Sequence, residues 1–301
     1  MRSVCQRLAP SVGANARYSL AVEEAYYLPV DAGTRDASGI DRFMATDATT
    51  SPWDTKAQHG GPPVALLASC IEAHAGREGL QLARISADFL GPIPKGICEV
   101  KVEILRPGRR NQLTEAVLSA GGRPAVVMRA WQIAASGAGA DAGAGSGGGA
   151  VPGAGTVGPP EYLPGPQAQT YFPGIEMPWG YGEATEWRFV SGGFARYNGH
   201  AEVWTRVKIP LVAGTSLSGL QRALIVADSA NGLSTPVDFS EWLFIPPGVT
   251  CHFTRLPEGE WIKMTASSSP GTSGIGLTEA RLYDAAGEFG TVAQPVLVAE
   301  R

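Results

Sequence analysis

Two stretches of the chain are apolar on nearly every side. The first, Pro62 to His74, reads PPVALLASCIEAH, and the second, Ser216 to Gly232, reads SLSGLQRALIVADSANG. Neither has a polar face, so each is expected as a helix wrapped by other structure. The first follows His59-Gly60-Gly61 and carries proline in its opening turn, where a missing N–H costs little. The second opens on serines able to cap it and ends at Asn231-Gly232. Beyond each helix the pattern changes to alternation, clearest in Cys98 to Ile104, where charge falls on one face. Strands are predicted over Ala83–Leu90, Gly96–Arg106, Gln112–Ser119 and Ala125–Ala134. A second set is predicted over Thr235–Phe244, Val249–Arg255, Glu260–Ser267, Gly276–Tyr283 and Gly290–Ala299. Gly121-Gly122 and Ala286-Gly287 supply the turns before the last strand of each set.

The two halves therefore repeat one unit. Ala65-Leu66-Leu67 aligns with Ala223-Leu224-Ile225, and Glu115-Ala116-x-Leu118 with Glu279-Ala280-x-Leu282. Ala87-Asp88-Phe89 echoes Val237-Asp238-Phe239, and Pro92 to Gly96 echoes Ile245 to Gly248. A long apolar helix followed by antiparallel strands, twice, implies an α+β fold with a sheet curled around each helix. Residues 134–160 are a Gly/Ala/Pro segment that cannot bury enough surface to order itself. The units are expected at 1–134 and 183–301, joined by 135–182. In the later part of that connection the aromatics Tyr162, Tyr171, Phe172, Trp179 and Tyr181 are expected to pack partly on the second half.

Composition narrows the function. A net charge of −4 argues against a nucleic-acid partner, which needs a basic face. No apolar run reaches the length of a membrane span. Met1–Ala21 lacks the apolar core of a signal peptide and reads as a polar leader. Cys5, Cys70, Cys98 and Cys251 form no C-x-x-C pair, and His59, His74, His200 and His252 show no i, i+4 spacing. No metal site or redox motif is implied, and a reducing, cytoplasmic location fits.

Several local motifs resemble the TesB-type acyl-CoA thioesterases. They are Ser51-Pro52-Trp53-Asp54 through His59-Gly60-Gly61-Pro62-Pro63, Phe89 to Pro94, Arg106-Pro107-Gly108-Arg109-Arg110, and Arg281-Leu282-Tyr283-Asp284 with Gln294. The resemblance runs from about Asp41 to Val298 outside the linker. It implies a double hotdog, with two sheets joined edge to edge and an acyl chain lying between the halves. It also implies an acyl-CoA substrate, a place in fatty acid metabolism, no cofactor, and a homo-oligomer.

In that family a helix carboxylate, a hydroxyl and a glutamine orient a water. By resemblance the carboxylate is Asp228 and the glutamine Gln294. The residues support this independently. Asp228 is the one charged residue between Arg222 and Asp238, in an apolar helix, where burial raises a carboxyl pKa toward the range of a general base. The structural alternative is an Asp bonding local backbone at a helix end. Gln294 can donate and accept at once. Pro236 occupies the family's hydroxyl position, so Ser234 and Thr235 are the candidates to replace it. His59-Gly60-Gly61 is expected to offer backbone N–H groups to the thioester carbonyl. Arg109 and Arg110 are candidates for the coenzyme A phosphates. In the repeat, Asp228 aligns with Cys70 and Gln294 with Arg129, so one site per chain is expected. Two rival readings stay open: a dehydratase-like hotdog enzyme using His59 or His200 with an aspartate, and a non-catalytic acyl-CoA binding protein.

Overall fold

The computed structural model describes residues 25–30, 39–135, 163–169, 179–194 and 196–301. The leader Met1–Ala21, Cys5, linker residues 136–160, Tyr162, Tyr171 and Phe172 lie outside them.

The first half runs β1 (Tyr27–Pro29), β2 (Ile40–Ala45), β3 (Ala57–Gln58), α1 (Gly61–Ala75), β4 (Leu80–Phe89), β5 (Ile93–Pro94), β6 (Gly96–Arg106), β7 (Asn111–Ala120) and β8 (Arg123–Ala134). The second runs α2 (Gly180–Glu183), β9 (Thr185–Ser191), β10 (His200–Val207), α3 (Gly219–Ala227), α4 (Ala230–Leu233), β11 (Trp242–Ile245), β12 (Gly248–Phe253), β13 (Trp261–Pro270), β14 (Ile275–Asp284) and β15 (Gly287–Glu300). Four strands that the alternation did not single out, β1, β2, β9 and β10, complete the outer edges.

One continuous antiparallel sheet has the order β1-β2-β6-β7-β8-β4-β12-β15-β14-β13-β10-β9, with β11 added beside β15. Read outward from the β4–β12 joint, the order is the same in both directions. The halves thus meet edge to edge as two copies of one unit, the double hotdog. At the joint Thr250 pairs with Ser86, and their hydroxyls lie 3.1 Å apart.

The ladders fix the repeat residue by residue. Leu118 pairs with Val126 just before a bulge, and Leu282 pairs with Gly290 just before the matching bulge. Thr114–Ala130 then stands where Thr278–Gln294 stands. Gln294 therefore corresponds to buried Ala130, one residue on from Arg129, whose side chain is on the other face. The echoes of 87–89 with 237–239 and of 92–96 with 245–248 do not survive, because β4 corresponds to β12. Asp88-Phe89 ends a strand whereas Asp238-Phe239 lies in a turn, so the likeness is one of sequence and not of position.

Both helices are wrapped as expected. Val64, Leu66, Leu67 and Ile71 of α1 are at most 1% exposed, each worth roughly 1.5–3 kcal/mol of burial. Ser218 caps α3 and forms a capping box with Gln221. The second helix is shorter than the pattern predicts. It stops at Ala227, Asp228 takes the C-cap, and α4 restarts at Ala230 so that Asn231-Gly232 lies inside a helical turn.

The strand predicted over Thr235–Phe244 is confined to its end, Trp242–Ile245. Pro236 has no N–H to give a ladder. The Thr235 hydroxyl bonds the Val237 backbone, and Asp238 accepts from both the N–H and the hydroxyl of Ser240. These local bonds make a turn there instead. No helix of the described residues is long and apolar enough to cross a membrane.

Candidate functional site

The site forms where the start of α1 meets the end of α3. Gly61 sits against the backbone of α3, and a Cβ there would lie 2.0 Å from the Ile225 carbonyl oxygen. Only glycine permits this approach. It brings the positive end of the α1 dipole onto the C-cap of α3, where Asp228 is 7% exposed.

The Asp228 carboxylate accepts from the Gly60 N–H. It also accepts from Gln294 Nε2 at 3.1 Å. The opposite end of that amide is fixed, since Gln294 Oε1 accepts the Asn231 N–H at 3.1 Å and Asn231 is in turn bonded to the Phe244 carbonyl. Burial dominates the acidity of Asp228 and pushes it from 3.8 up to about 7, while the Gly60 and Gln294 bonds pull the other way. Gln294, fully buried on β15, is reached across the helix end rather than through sequence proximity.

His59 Nδ1 lies 3.5 Å from Asp228 Oδ2 and accepts the Gly61 N–H at 3.2 Å. Its ring stacks flat on Tyr181, at 3.7 Å and 2°, and does not pack on Trp53, which lies against Phe239. Burial lowers the imidazole from 6.5 to about 3, so it is neutral across the physiological range. Tyr181 donates toward the Ile225 carbonyl at 3.0 Å and shares a 2.6 Å bond with Ser229. It thereby ties the imidazole to the turn that carries Asp228.

The expected cluster of backbone donors at the α1 start is engaged within the chain. The His59 N–H goes to the Thr49 carbonyl at 2.7 Å, the Gly60 N–H to Asp228, and the Gly61 N–H to His59 Nδ1. Pro62 and Pro63 have no N–H, and that of Val64 closes the first helical turn onto Gly60.

The hydroxyls divide differently from expectation. The Thr235 hydroxyl is held in its local turn. Ser234 bonds Ala230 and Ser268, and Ser268 continues to Thr278, the ladder partner of Gln294. Neither bonds Asp228 or Gln294 directly. Ser229, next to Asp228, is the hydroxyl that lines the cleft. Cys251 on β12 is buried, and its thiol is pushed up mainly by burial and secondarily by the Asp228 charge. The sequence reading misses Ser229, Tyr181, Asn231 and Cys251; adjacency to Asp228 is the signal available for Ser229, whereas Tyr181 and Cys251 reach the site only through the fold, and Asn231 through its bond to Gln294.

The cleft is lined by Trp53, His59, Trp179, Trp187, Phe194 and Ser229 among others. No charged side chain contributes to its lining among the described residues. About 20 Å³ of it is open to the centre of a water, enough for roughly one molecule. Arg109 and Arg110 are not brought to it. They occupy the exposed β6–β7 turn, whose Gly108 carbonyl accepts from Arg77 just past the far end of α1. A helix of 15 residues sets that turn about 22 Å from the His59 end. His200 is exposed at the start of β10.

Residues 49–133 match the family model for the acyl-CoA thioesterase N-terminal domain, and residues 159–298 match the model for the C-terminal domain. No curated protein matches the chain. Among solved structures, a hot dog fold protein of unknown function from Alicyclobacillus acidocaldarius superposes with a TM-score of 0.62 at 14% identity, covering 93% of this chain and 98% of that one. An acyl-CoA thioesterase II, TesB2, from Mycobacterium marinum gives 0.58 at 15% identity, over 93% and 99%. The tesB protein of Mycobacterium avium subs paratuberculosis gives 0.55 at 13%, over 86% and 93%. At these identities the likeness to the solved structures is one of fold.

Proposed function

The chain belongs to the acyl-CoA thioesterase family, each half matching one domain of it, and from that premise we propose that it hydrolyses an acyl-CoA thioester through a water activated by Asp228. The observation that carries this is one buried carboxylate, raised to about 7, held by Gln294 at 3.1 Å beside a cleft with room for a water. Ionised, Asp228, flanked by the cleft-lining His59 and Ser229, takes a proton from a water as the water oxygen attacks the thioester carbonyl carbon. The tetrahedral intermediate collapses with cleavage of the C–S bond, and the proton returns from Asp228 to the leaving thiolate. Gln294, pinned by Asn231, keeps the carboxylate in one orientation. The uncharged lining of the cleft offers no partner to the phosphates of coenzyme A.

A free-thiol assay over acyl-CoAs from two to sixteen carbons tests the reading. Thiol release is expected from at least one of them, and Asp228→Asn is expected to abolish it. Release from none, or an undiminished Asp228→Asn rate, overturns it.

The 3.5 Å separation of His59 and Asp228 favours one second reading, a dehydratase-like His–Asp pair acting on a hydroxyacyl thioester. Formation of an enoyl thioester without thiol release would select it.

A further inference from the structure

We infer that His59 acts as a neutral hydrogen-bond donor, holding the oxyanion of the tetrahedral intermediate with its Nε2–H. The inference rests on the hydrolase reading above and adds a catalytic residue to it.

The accounting of donors leads here. Hydrolysis of a thioester places a negative charge on the carbonyl oxygen, and that charge needs donors already in place. The N–H groups of His59, Gly60 and Gly61 are each taken by an acceptor of this chain. The two prolines that follow have none to give. The α1 start therefore supplies a favourable dipole but no uncommitted N–H among the described residues.

The imidazole fills that role by geometry. Nδ1 accepts from the Gly61 N–H at 3.2 Å, so Nδ1 carries no hydrogen. A neutral ring must then carry its hydrogen on Nε2. His59 lines the cleft, and none of the described residues accepts from Nε2. Flat stacking on the fully buried Tyr181 fixes the ring plane, and Tyr181 is itself held by Ile225 and Ser229. The donor is thus oriented before substrate arrives.

The groups facing His59 agree with a ring that stays neutral. They are the Asp228 carboxyl at Nδ1 and the Tyr181 phenol on its face. In the hydrolytic step the proton moves only between water, Asp228 and the leaving sulfur, and His59 keeps its own proton throughout. This separates the inference from a His–Asp dyad, in which Nδ1–H would donate to Asp228 and Nε2 would act as base. The 3.2 Å bond from Gly61 competes with that arrangement at the 3.5 Å separation, and the shorter contact decides the tautomer.

The experiment has two parts on the full chain. Long-range proton–nitrogen correlation spectra of protein labelled with ¹⁵N in histidine are recorded from pH 5 to 8, with His59→Gln used to assign the ring. One non-titrating ring in the Nε2–H form is expected. A Nδ1–H tautomer, or a His59 ring that titrates in this range, overturns the inference. Steady-state thiol release from the best acyl-CoA is then compared for His59→Ala and His59→Gln. His59→Ala is expected to lower kcat about 10²–10³-fold, the cost of one oxyanion donor, with KM changed less than about threefold. His59→Gln, which restores an amide N–H, is expected to regain at least tenfold of that loss. Equal losses in the two variants, or a His59→Ala kcat near wild type, overturn it. Absence of thiol release from wild type instead sinks the hydrolase reading itself.

Discussion

Replacing Asp228 by Asn should reverse the sign of its effect on stability between pH 4 and pH 8. The folded protein holds a proton on Asp228 up to about pH 7, whereas an ordinary carboxyl releases it near 3.8. The folded state therefore binds the extra proton between those values. The stability linked to it is fully present below the unfolded value and is lost as pH rises through the folded one. A shift of about three units at 1.36 kcal/mol each makes that loss ~4 kcal/mol. Asn carries no charge and escapes it. Its amide, however, has one acceptor oxygen where the carboxyl, ionised or protonated, has two to face the Gly60 N–H and Gln294 Nε2. One buried donor is left unpaired, a cost of roughly 2 kcal/mol at any pH. Asp228→Asn is thus expected to be about 2 kcal/mol less stable than wild type at pH 4 and about 2 kcal/mol more stable at pH 8. Urea denaturation of both proteins at each pH measures this directly. A stability difference that does not change with pH would refute the buried, proton-holding carboxyl, and with it the physical basis of the proposed base. The same proton should appear in the kinetics, where wild-type kcat/KM rises with pH toward a plateau above about 7.

Three further substitutions separate the parts of the site. Gly60→Ala places a Cβ 2.6 Å from Asp228 Oδ2 and from the Phe89 ring; because both contacts are side-chain ends that can move, thiol release should fall at least tenfold while the unfolding midpoint changes little. Gly61→Ala meets the Ile225 backbone at 2.0 Å, which cannot yield, so it should cost ~3 kcal/mol or more in denaturant titration. Gln294→Glu sets a second carboxylate beside Asp228; like charges oppose ionisation, and the pH–rate limb should move above its wild-type position of about 7, an unmoved limb counting against their contact.

The site was legible in the sequence wherever a residue broke its own local pattern. Asp228 stands out as a charge in an apolar helix, and His59-Gly60-Gly61 as a glycine pair at a helix start. Gln294 came from the resemblance, since a glutamine in an alternating strand has nothing unusual around it. Ser234 and Thr235 are the hydroxyls beside Pro236 in a segment that reads as strand and folds as a helical turn and a loop. Their hydroxyls accordingly serve Ala230, Ser268 and Val237. Arg109 and Arg110 are candidates through their charge and their place in a family-like motif, and neither says to which end of α1 a hairpin turn is folded.

The chain's own pattern determined the two apolar helices, most of the strands that follow them, and the duplication of that unit. These depend on periodicity and burial, which are properties of short segments. Only the tertiary structure decided that the second helix breaks at Asp228, that Tyr181 covers His59, and that the backbone donors at the α1 start are already in use. Each of those depends on which residues distant in the chain come within 3–4 Å, and that distance is set by the packing of Gly61 against α3 and by the register of β15, not by any local preference.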